Sequence, residues 1–188
     1  MTVINRFTKP FTPIVLIAGF TLLLISNECL GQGKSSLDST QINLLDVARE
    51  IMMASKTCTL ITMDKEGRPA ARIMDPFPPD EDFTVWFGTN PKSRKVGQIE
   101  HDPRVTLLYV SQDISGYVMV QGTARTVNAP EEKARHWKSV WEQFYPDKEE
   151  NYLLIRVTPL RFEVVSYPHG ITGDAVTWEP QSVTLHQN

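Results

Sequence analysis

The chain has 188 residues, of which 41% are hydrophobic, and its formal net charge is −3. The acidic balance and the lack of a basic tract argue against nucleic acid as the main partner. The length suits one compact domain of about 100–150 residues, which can bury a hydrophobic core without disulfide bonds.

The N-terminal residues have the layout of a secretory signal peptide. Arg6 and Lys9 precede an uncharged stretch over residues 10–27, and Cys29 and Gly31 place small side chains before a cleavage after Gly31. We therefore predict a signal peptide at residues 1–31 and a protein exported to the periplasm or the medium. The alternative is an uncleaved segment that anchors the chain in a membrane.

Removal of residues 1–31 leaves 157 residues with a formal charge of −4. Cys58 is then the single cysteine, so no intramolecular disulfide is expected despite the oxidising compartment. It lies in an alternating apolar run, which predicts a buried small hydrophobic residue. No later segment approaches the ~20 apolar residues of a membrane-spanning helix, so no membrane contact is expected after cleavage.

The rest of the chain is predicted to form a linker at residues 32–39, one domain at residues 40–180 and a C-terminal tail at residues 181–188. Apolar residues at helical spacing predict helices over residues 40–52, 91–100 and 129–144. Alternating runs predict strands over residues 57–63, 70–74, 83–87, 105–110, 116–127, 152–157 and 161–167. These elements favour a mainly β fold, a small antiparallel barrel with peripheral helices. The last helix is expected to bury one face, formed by Trp137, Val140, Trp141 and Phe144.

The helix predicted over residues 91–100 begins with the wrong charge. Asn90 suits the N-cap and Pro91 the first helical position. The first turn then holds three cations that oppose the helix dipole, each at about 0.3–1 kcal/mol when exposed: Lys92, Arg94 and Lys95. A bound anion would remove this conflict.

Arg72 would add a further cation if its strand pairs with the strand over residues 83–87. The residues alone leave open whether the anion is a phosphate or a carboxylate. The alternative is that these side chains are simply solvated.

Six short segments occur in a characteristic order: Arg72-Ile-Met74, Phe83-Thr-Val-Trp-Phe-Gly-Thr-Asn90, Ser93-Arg-Lys95, Gln98-Ile99, Asp102-Pro-Arg-Val105 and Tyr117-Val-Met-Val-Gln-Gly-Thr-Ala124. In this order and spacing the chain resembles the pyridoxamine 5'-phosphate oxidase-like flavoproteins, in particular their general stress protein branch. The resemblance spans roughly residues 40–180. It implies a six-stranded antiparallel split β-barrel that forms a homodimer and binds FMN at the subunit interface.

The resemblance also implies which residues bind the cofactor. It assigns the FMN phosphate to Arg72, Arg94 and Lys95, with Ser93 as an additional donor. It assigns backbone or hydroxyl contacts with the ribityl chain and ring to Ile73, Met74, Gly88 and Thr89. Ile73 and Met74 fit an ordinary strand core equally well. Trp178 would cover the flavin of the neighbouring subunit or, alternatively, anchor the tail onto the barrel.

Two departures argue against oxidation of vitamin B6. Five positions after Arg72, where true pyridoxamine 5'-phosphate oxidases carry a basic residue, this chain has Phe77. Their C-terminal Arg-x-His substrate pair is also missing, because only His169 occurs in the corresponding region.

No histidine or cysteine spacing suggests a metal site, and no general base is evident, so the catalytic residues stay unidentified. This suits chemistry in which a flavin carries the electrons. We therefore expect an exported FMN-dependent oxidoreductase. The alternatives are a non-catalytic flavin-binding or stress-related module, and a haem-binding protein with His169 as the ligand.

Overall fold

The computed structural model describes residues 38–185. The predicted signal peptide, nearly all of the predicted linker and residues 186–188 lie outside this range. The strands are β1 (Cys58–Met63), β2 (Pro69–Met74), β3 (Val85–Thr89), β4 (Arg104–Val110), β5 (Gly116–Val127), β6 (Leu153–Ser166) and β7 (Gln181–Thr184). The helices are α1 (Ser39–Ala54), α2 (Arg94–His101), α3 (Pro130–Arg135) and α4 (Lys148–Asn151), with 3₁₀ turns at Ser139–Trp141 and Tyr167–His169.

Six strands form one antiparallel sheet in the order β2-β1-β4-β5-β6-β3. The sheet curls until its two edges meet: Pro76, just after β2, forms an antiparallel bridge with Phe87 of β3. Beside this bridge the Phe77 amide donates to the Trp86 carbonyl at 2.9 Å. The mainly β, six-stranded barrel expected from the sequence is therefore confirmed.

The barrel interior forms the main core. Alternate residues of each strand point inward, as Cys58, Leu60 and Thr62 do in β1. The apolar stripe of α1 packs on the same core through Leu44, Leu45, Val47, Ala48, Ile51 and Met52. α1 begins with a capping box in which Asp38 and Gln41 bond each other's backbone amides.

Two elements near the C-terminus differ from expectation. β6 is continuous through Pro159, whereas the sequence predicts two strands on either side of it. The register shifts between Gln121 and Gly122 of β5, which pair with Arg161 and Pro159, so Leu160 is an extra residue on β6 that relaxes the ladder beside the proline. Beyond the predicted domain, β7 pairs with β6, so residues 181–184 extend the sheet.

The predicted helix over residues 129–144 is wrong in its second half. α3 ends at Arg135, and the His136 ring stacks on Trp86 with the two centroids 4.3 Å apart. Aromatic packing against the outside of the barrel thus overrides the helical period of this segment. Val140 and Phe144, which were expected to be buried, are each 67% exposed.

The segment still forms a second core, the aromatic cluster, which lies over the outer side of β3 and β6. Trp137 and Trp141 meet edge to face at 6.2 Å, which confirms their predicted core role. They pack with Trp86, Leu154, Tyr152, Phe77 and Tyr145. The Tyr152 hydroxyl donates to the His136 carbonyl and fixes the end of α3.

Cys58 is buried, as predicted, and its burial raises the pKa of the thiol to about 12. Between residues 38 and 185 no helix is long and apolar enough to span a membrane.

Gly88 makes the close approach of the aromatic cluster to β3 possible. A Cβ at this position would overlap Trp141 Cζ3 and lie 2.8 Å from Tyr152 Cε2. We expect Gly88→Ala to lower the free energy of unfolding by about 1–3 kcal/mol, because two packed rings must move. The matched control is Gly97→Ala in α2, where a Cβ meets open space and the change should stabilise by about 0.5–1 kcal/mol. Thermal unfolding followed by circular dichroism compares the two; a Gly88→Ala protein as stable as Gly97→Ala would contradict this packing.

Candidate anion-binding site

Two of the three predicted cations lie in the first turn of α2. The helix begins at Arg94 with Ser93 as N-cap, three residues later than predicted. The Asn90 side chain instead accepts a hydrogen bond from the Lys92 amide at 2.8 Å and stabilises the turn before the helix. Lys92 therefore lies outside α2, while Arg94 and Lys95 occupy its first two positions with no acidic residue in the first turn. Both side chains oppose the helix dipole.

Arg72 reaches α2 by a different route from the predicted one. Its strand pairs with β1, and β2 meets β3 only through the bridge at Pro76. The Arg72 guanidinium crosses β1 and donates to Thr62 Oγ1 at 2.7 Å and to Gln98 Oε1 of α2 at 2.8 Å. The Thr62 hydroxyl in turn donates to the same Gln98 oxygen at 2.7 Å. These contacts fix the guanidinium beside the start of α2.

Arg72, Arg94 and Lys95 form a cation cluster in which the charged forms of Arg72 and Lys95 are disfavoured. Burial lowers the pKa of Arg72, and the nearby charge of Arg94 lowers it further. Burial likewise lowers the pKa of Lys95, with a second contribution from Arg72. Within the described part of the chain, no carboxylate forms an ion pair with any of the three. The cluster therefore holds positive charge that a bound anion would stabilise.

Hydroxyl groups adjoin the cluster at the turn between β3 and α2. Thr89 Oγ1 and Ser93 Oγ lie 3.1 Å apart. Ser93 is the N-cap, yet its side chain does not bond the helix amides, which leaves those amides available. Cationic side chains, hydroxyl donors and a helix N-terminus together match the oxygens of a phosphate group.

The other residues predicted to contact the cofactor differ in how far they are exposed and in what they pack against. Ile73 is 67% exposed on the outer side of β2, so its alternative assignment to the core is wrong. Met74 packs against the barrel core, as its alternative assignment to an ordinary strand core predicts. Gly88 lies beneath the aromatic cluster, where its backbone alone remains for a ligand.

Trp178 is 82% exposed and does not anchor the tail onto its own barrel. Its backbone is held in a turn with a φ of 62°, in which its amide donates to the Asp174 carbonyl at 2.9 Å. The position over a neighbouring subunit's flavin stays a prediction.

His169, the predicted haem-ligand candidate, has both ring nitrogens engaged. Nδ1 lies 2.8 Å from Ser166 Oγ, and Nε2 lies 3.3 Å from a carboxylate oxygen of Glu50. Over residues 38–185, no group of three or more histidine, cysteine or acidic side chains is arranged to bind a metal ion.

Thr62 and Gln98 are the site residues for which the sequence suggested no role. Thr62 is a fully buried polar residue on the inward face of β1, and Gln98 lies one turn into α2. A polar residue at an inward position of an alternating strand is the signal that could have identified Thr62, because a buried hydroxyl needs a partner.

Comparison with known proteins gives the same family from several directions. The family model described as Pyridoxamine 5'-phosphate oxidase matches residues 44–166. General stress protein 26 of Bacillus subtilis (strain 168) is 29% identical over 115 residues, which cover 58% of this chain and 79% of that protein. A pyridoxine/pyridoxamine 5'-phosphate oxidase of Burkholderia mallei (strain SAVP1) is 37% identical over 83 residues, 44% of this chain. This match spans only 38% of that enzyme's length.

Solved structures share the fold at lower identity. The general stress protein 26 of Bacillus anthracis str. Sterne superposes with a TM-score of 0.60 at 23% identity, over 76% of this chain and 99% of that one. A pyridoxamine 5'-phosphate oxidase-related, FMN-binding protein of Nostoc punctiforme superposes with a TM-score of 0.57 at 16% identity, over 81% of this chain and 99% of that one. A heme-binding protein of Mycobacterium smegmatis superposes with a TM-score of 0.56 at 19% identity, over 73% of this chain and 56% of that one.

The depressed pKa of Lys95 leads to a prediction about stability. Because the folded state disfavours the charged ammonium, the Lys95 charge destabilises the protein at neutral pH. This penalty falls as the pH rises above the lowered pKa of the folded state and is gone above the ordinary lysine pKa. We expect Lys95→Gln to raise the Tm at pH 7 in chloride buffer by roughly 1–4 °C. Phosphate should raise the Tm of the parent protein and raise that of Lys95→Gln much less.

The control for this experiment is Lys65→Gln, at an exposed turn between β1 and β2. It should change neither the Tm nor the response to phosphate. A parent protein whose Tm is the same in chloride and in phosphate of equal ionic strength would contradict the anion site.

Proposed function

Because the chain belongs to the pyridoxamine 5'-phosphate oxidase family, we propose that Arg72, Arg94 and Lys95 bind the phosphate of FMN and that the protein is a flavin-dependent oxidoreductase. The observation that carries this proposal is the convergence of the three cations without a carboxylate partner among the described residues. The FMN-binding description of the Nostoc punctiforme structure supports the choice of cofactor.

The residues present fit the parts of FMN that a protein must hold. The cluster would bind the phosphate, with Ser93 and Thr89 as hydroxyl donors at 3.1 Å from each other. The backbone of Ile73, Met74 and Gly88 would contact the ribityl chain and ring. When bound, FMN supplies the capacity to accept and donate electrons. The chain itself binds and orients the cofactor.

Pyridoxamine 5'-phosphate is not the substrate that we propose. Phe77, at the position of the missing basic residue, packs edge to face on His136 at 5.1 Å and on Trp141 at 5.5 Å. The residue at this position is therefore part of the aromatic cluster. His169 is bonded to Ser166 and faces Glu50 instead of standing beside an arginine.

A haem-binding role is the second candidate, since the Mycobacterium smegmatis neighbour is described as heme binding. In this chain an iron that binds one ring nitrogen of His169 would have to displace either Ser166 or Glu50 from that nitrogen. The cation cluster would also suit the propionate carboxylates of haem, but the free helix amides and the Ser93 and Thr89 hydroxyls beside it add donors that match the oxygens of a phosphate. We therefore favour FMN.

We propose that the protein forms a homodimer through the outer face of β2, β1, β4 and β5. The strand register places Ile73, Thr59, Leu108 and Met119 in one row across this face. Three of these four side chains are apolar, whereas a sheet face in water normally carries polar residues. A second copy would remove this row from water, with the flavin site at the edge of the interface.

The dimer proposal is tested by Leu108→Glu, which places a charge in the centre of the row. Light scattering after size-exclusion chromatography should find a dimer for the parent protein and a monomer for this variant. Val140→Glu is the control, because it adds the same charge at an exposed apolar residue away from the row, in the turn at Ser139–Trp141. A Leu108→Glu protein as dimeric as Val140→Glu would contradict this interface.

We propose that the protein is exported, on the basis of Arg6, Lys9 and the apolar stretch that follows them. Phe7 follows Arg6, so no twin-arginine pair suggests export of a folded, FMN-loaded protein. N-terminal sequencing of the exported protein should begin at Gln32. A sequence that still contains Arg6 would contradict cleavage and favour the anchor.

The FMN proposal predicts the effect of removing two charges from the cluster. Arg94→Ala/Lys95→Ala should weaken FMN binding by roughly 100-fold or more, since each loses a charge-assisted hydrogen bond. Titration followed by flavin fluorescence measures the change. Lys56→Ala/Lys65→Ala removes the same charge from exposed positions elsewhere and should leave binding unchanged.

The same preparation distinguishes the alternatives. Reduction of the bound flavin by NADH or NADPH would support the oxidoreductase, whereas FMN binding without reduction or turnover would favour a binding module. FMN binding that is unaffected by the double substitution would refute the phosphate assignment, and a Soret band in the purified protein would favour haem.

A further inference from the structure

A cavity of about 330 Å³ lies between α3 and α4, beside the aromatic cluster. Its wall includes Lys133, Trp137, Lys148, Glu149 and Tyr152, and it shares no residue with the cation cluster at the start of α2. The volume is at the lower end of the range for small-molecule sites, enough for a ligand with one ring.

The first distinctive feature of the cavity is a buried ammonium group without a counter-ion. The Lys133 residue is only 9% exposed. Its Nζ contacts two neutral oxygens, Asn128 Oδ1 and the Glu149 carbonyl, each at 3.3 Å. No carboxylate between residues 38 and 185 forms an ion pair with it. An ammonium has three donors, so one remains for a ligand, and a buried charge gains from an anionic partner.

The second feature limits the charge of that ligand to one. Lys148, on the same wall, already lies over the Trp137 ring at 3.7 Å and within 3.9 Å of Glu142 Oε1. Glu149 also lines the cavity and adds a negative charge near it. A dianion such as a phosphate monoester would be repelled by Glu149, whereas a single carboxylate matches the unbalanced charge of Lys133.

The third feature is a corner made of two aromatic rings. The Trp137 and Tyr152 rings meet at 85° with their centroids 5.1 Å apart. These two rings are already in contact with each other and Tyr152 is only 2% exposed, so a ligand ring would lie against the apolar wall that Trp137 presents to the cavity.

We propose that this cavity binds a small aromatic carboxylate, with its ring against Trp137 at the cavity wall and its carboxylate on the Lys133 ammonium. The site is separate from the proposed flavin site and does not depend on it.

Isothermal titration of the parent protein with benzoate, and with benzyl alcohol as an uncharged analogue, tests this proposal. Benzoate should bind saturably at micromolar to millimolar concentration and roughly tenfold more tightly than benzyl alcohol. Lys133→Met keeps the apolar stem of the side chain and should weaken benzoate binding by roughly tenfold or more. Lys65→Met, at an exposed turn, should bind benzoate like the parent protein.

Because Lys133 is buried, a second variant keeps the test decisive if Lys133→Met does not fold. Ala134 is exposed and borders the cavity, so Ala134→Phe should fill the cavity and abolish benzoate binding without disturbing the core. Absence of saturable benzoate binding to the parent protein would overturn the proposal. So would equal affinities for benzoate and benzyl alcohol, or benzoate binding that survives Ala134→Phe unchanged.

Discussion

The Arg72 guanidinium is fixed between β1 and α2 by groups that cannot neutralise it. Thr62 and Gln98 accept its hydrogen bonds, but both are uncharged. Arg94 and Lys95 then add their charges beside it at the positive end of a helix. The protein thus maintains a concentration of positive charge that lowers its own stability. Misplaced charge of this kind often marks a functional site, and it favours the binding of an anion.

The fold explains how this charge is kept in place. Closure of the sheet at Pro76 and Phe87 brings β2 and the turn after β3 to the same region of the barrel. The outer side of β3 is covered by the aromatic cluster, which Gly88 allows to approach closely. Phe77 packs within that cluster, at the position where the family resemblance implies a basic residue.

Local patterns in the sequence predicted most of the barrel, because alternation along a strand directly reflects which residues face the core. They failed where long-range contacts dominate. The stacking of His136 on Trp86 ends α3 early, and no spacing within residues 129–144 reveals a partner on β3. The charges of Arg94 and Lys95 were recognisable from their place in a helix. The link from Arg72 through Gln98 was not, because it joins elements that are adjacent only after folding. Lys133 was likewise hidden, since burial of a lysine depends on the segment packed over it.

The proposed role of the cation cluster is to recognise a flavin through its phosphate. Riboflavin has the same ring and ribityl chain as FMN but no phosphate, so a comparison of the two ligands isolates the contribution of the phosphate. Calorimetric titration of the parent protein should show FMN binding roughly 100-fold or more tightly than riboflavin, the value expected for two or more charge-assisted hydrogen bonds. Equal affinities for FMN and riboflavin would show that the cation cluster does not bind the flavin phosphate.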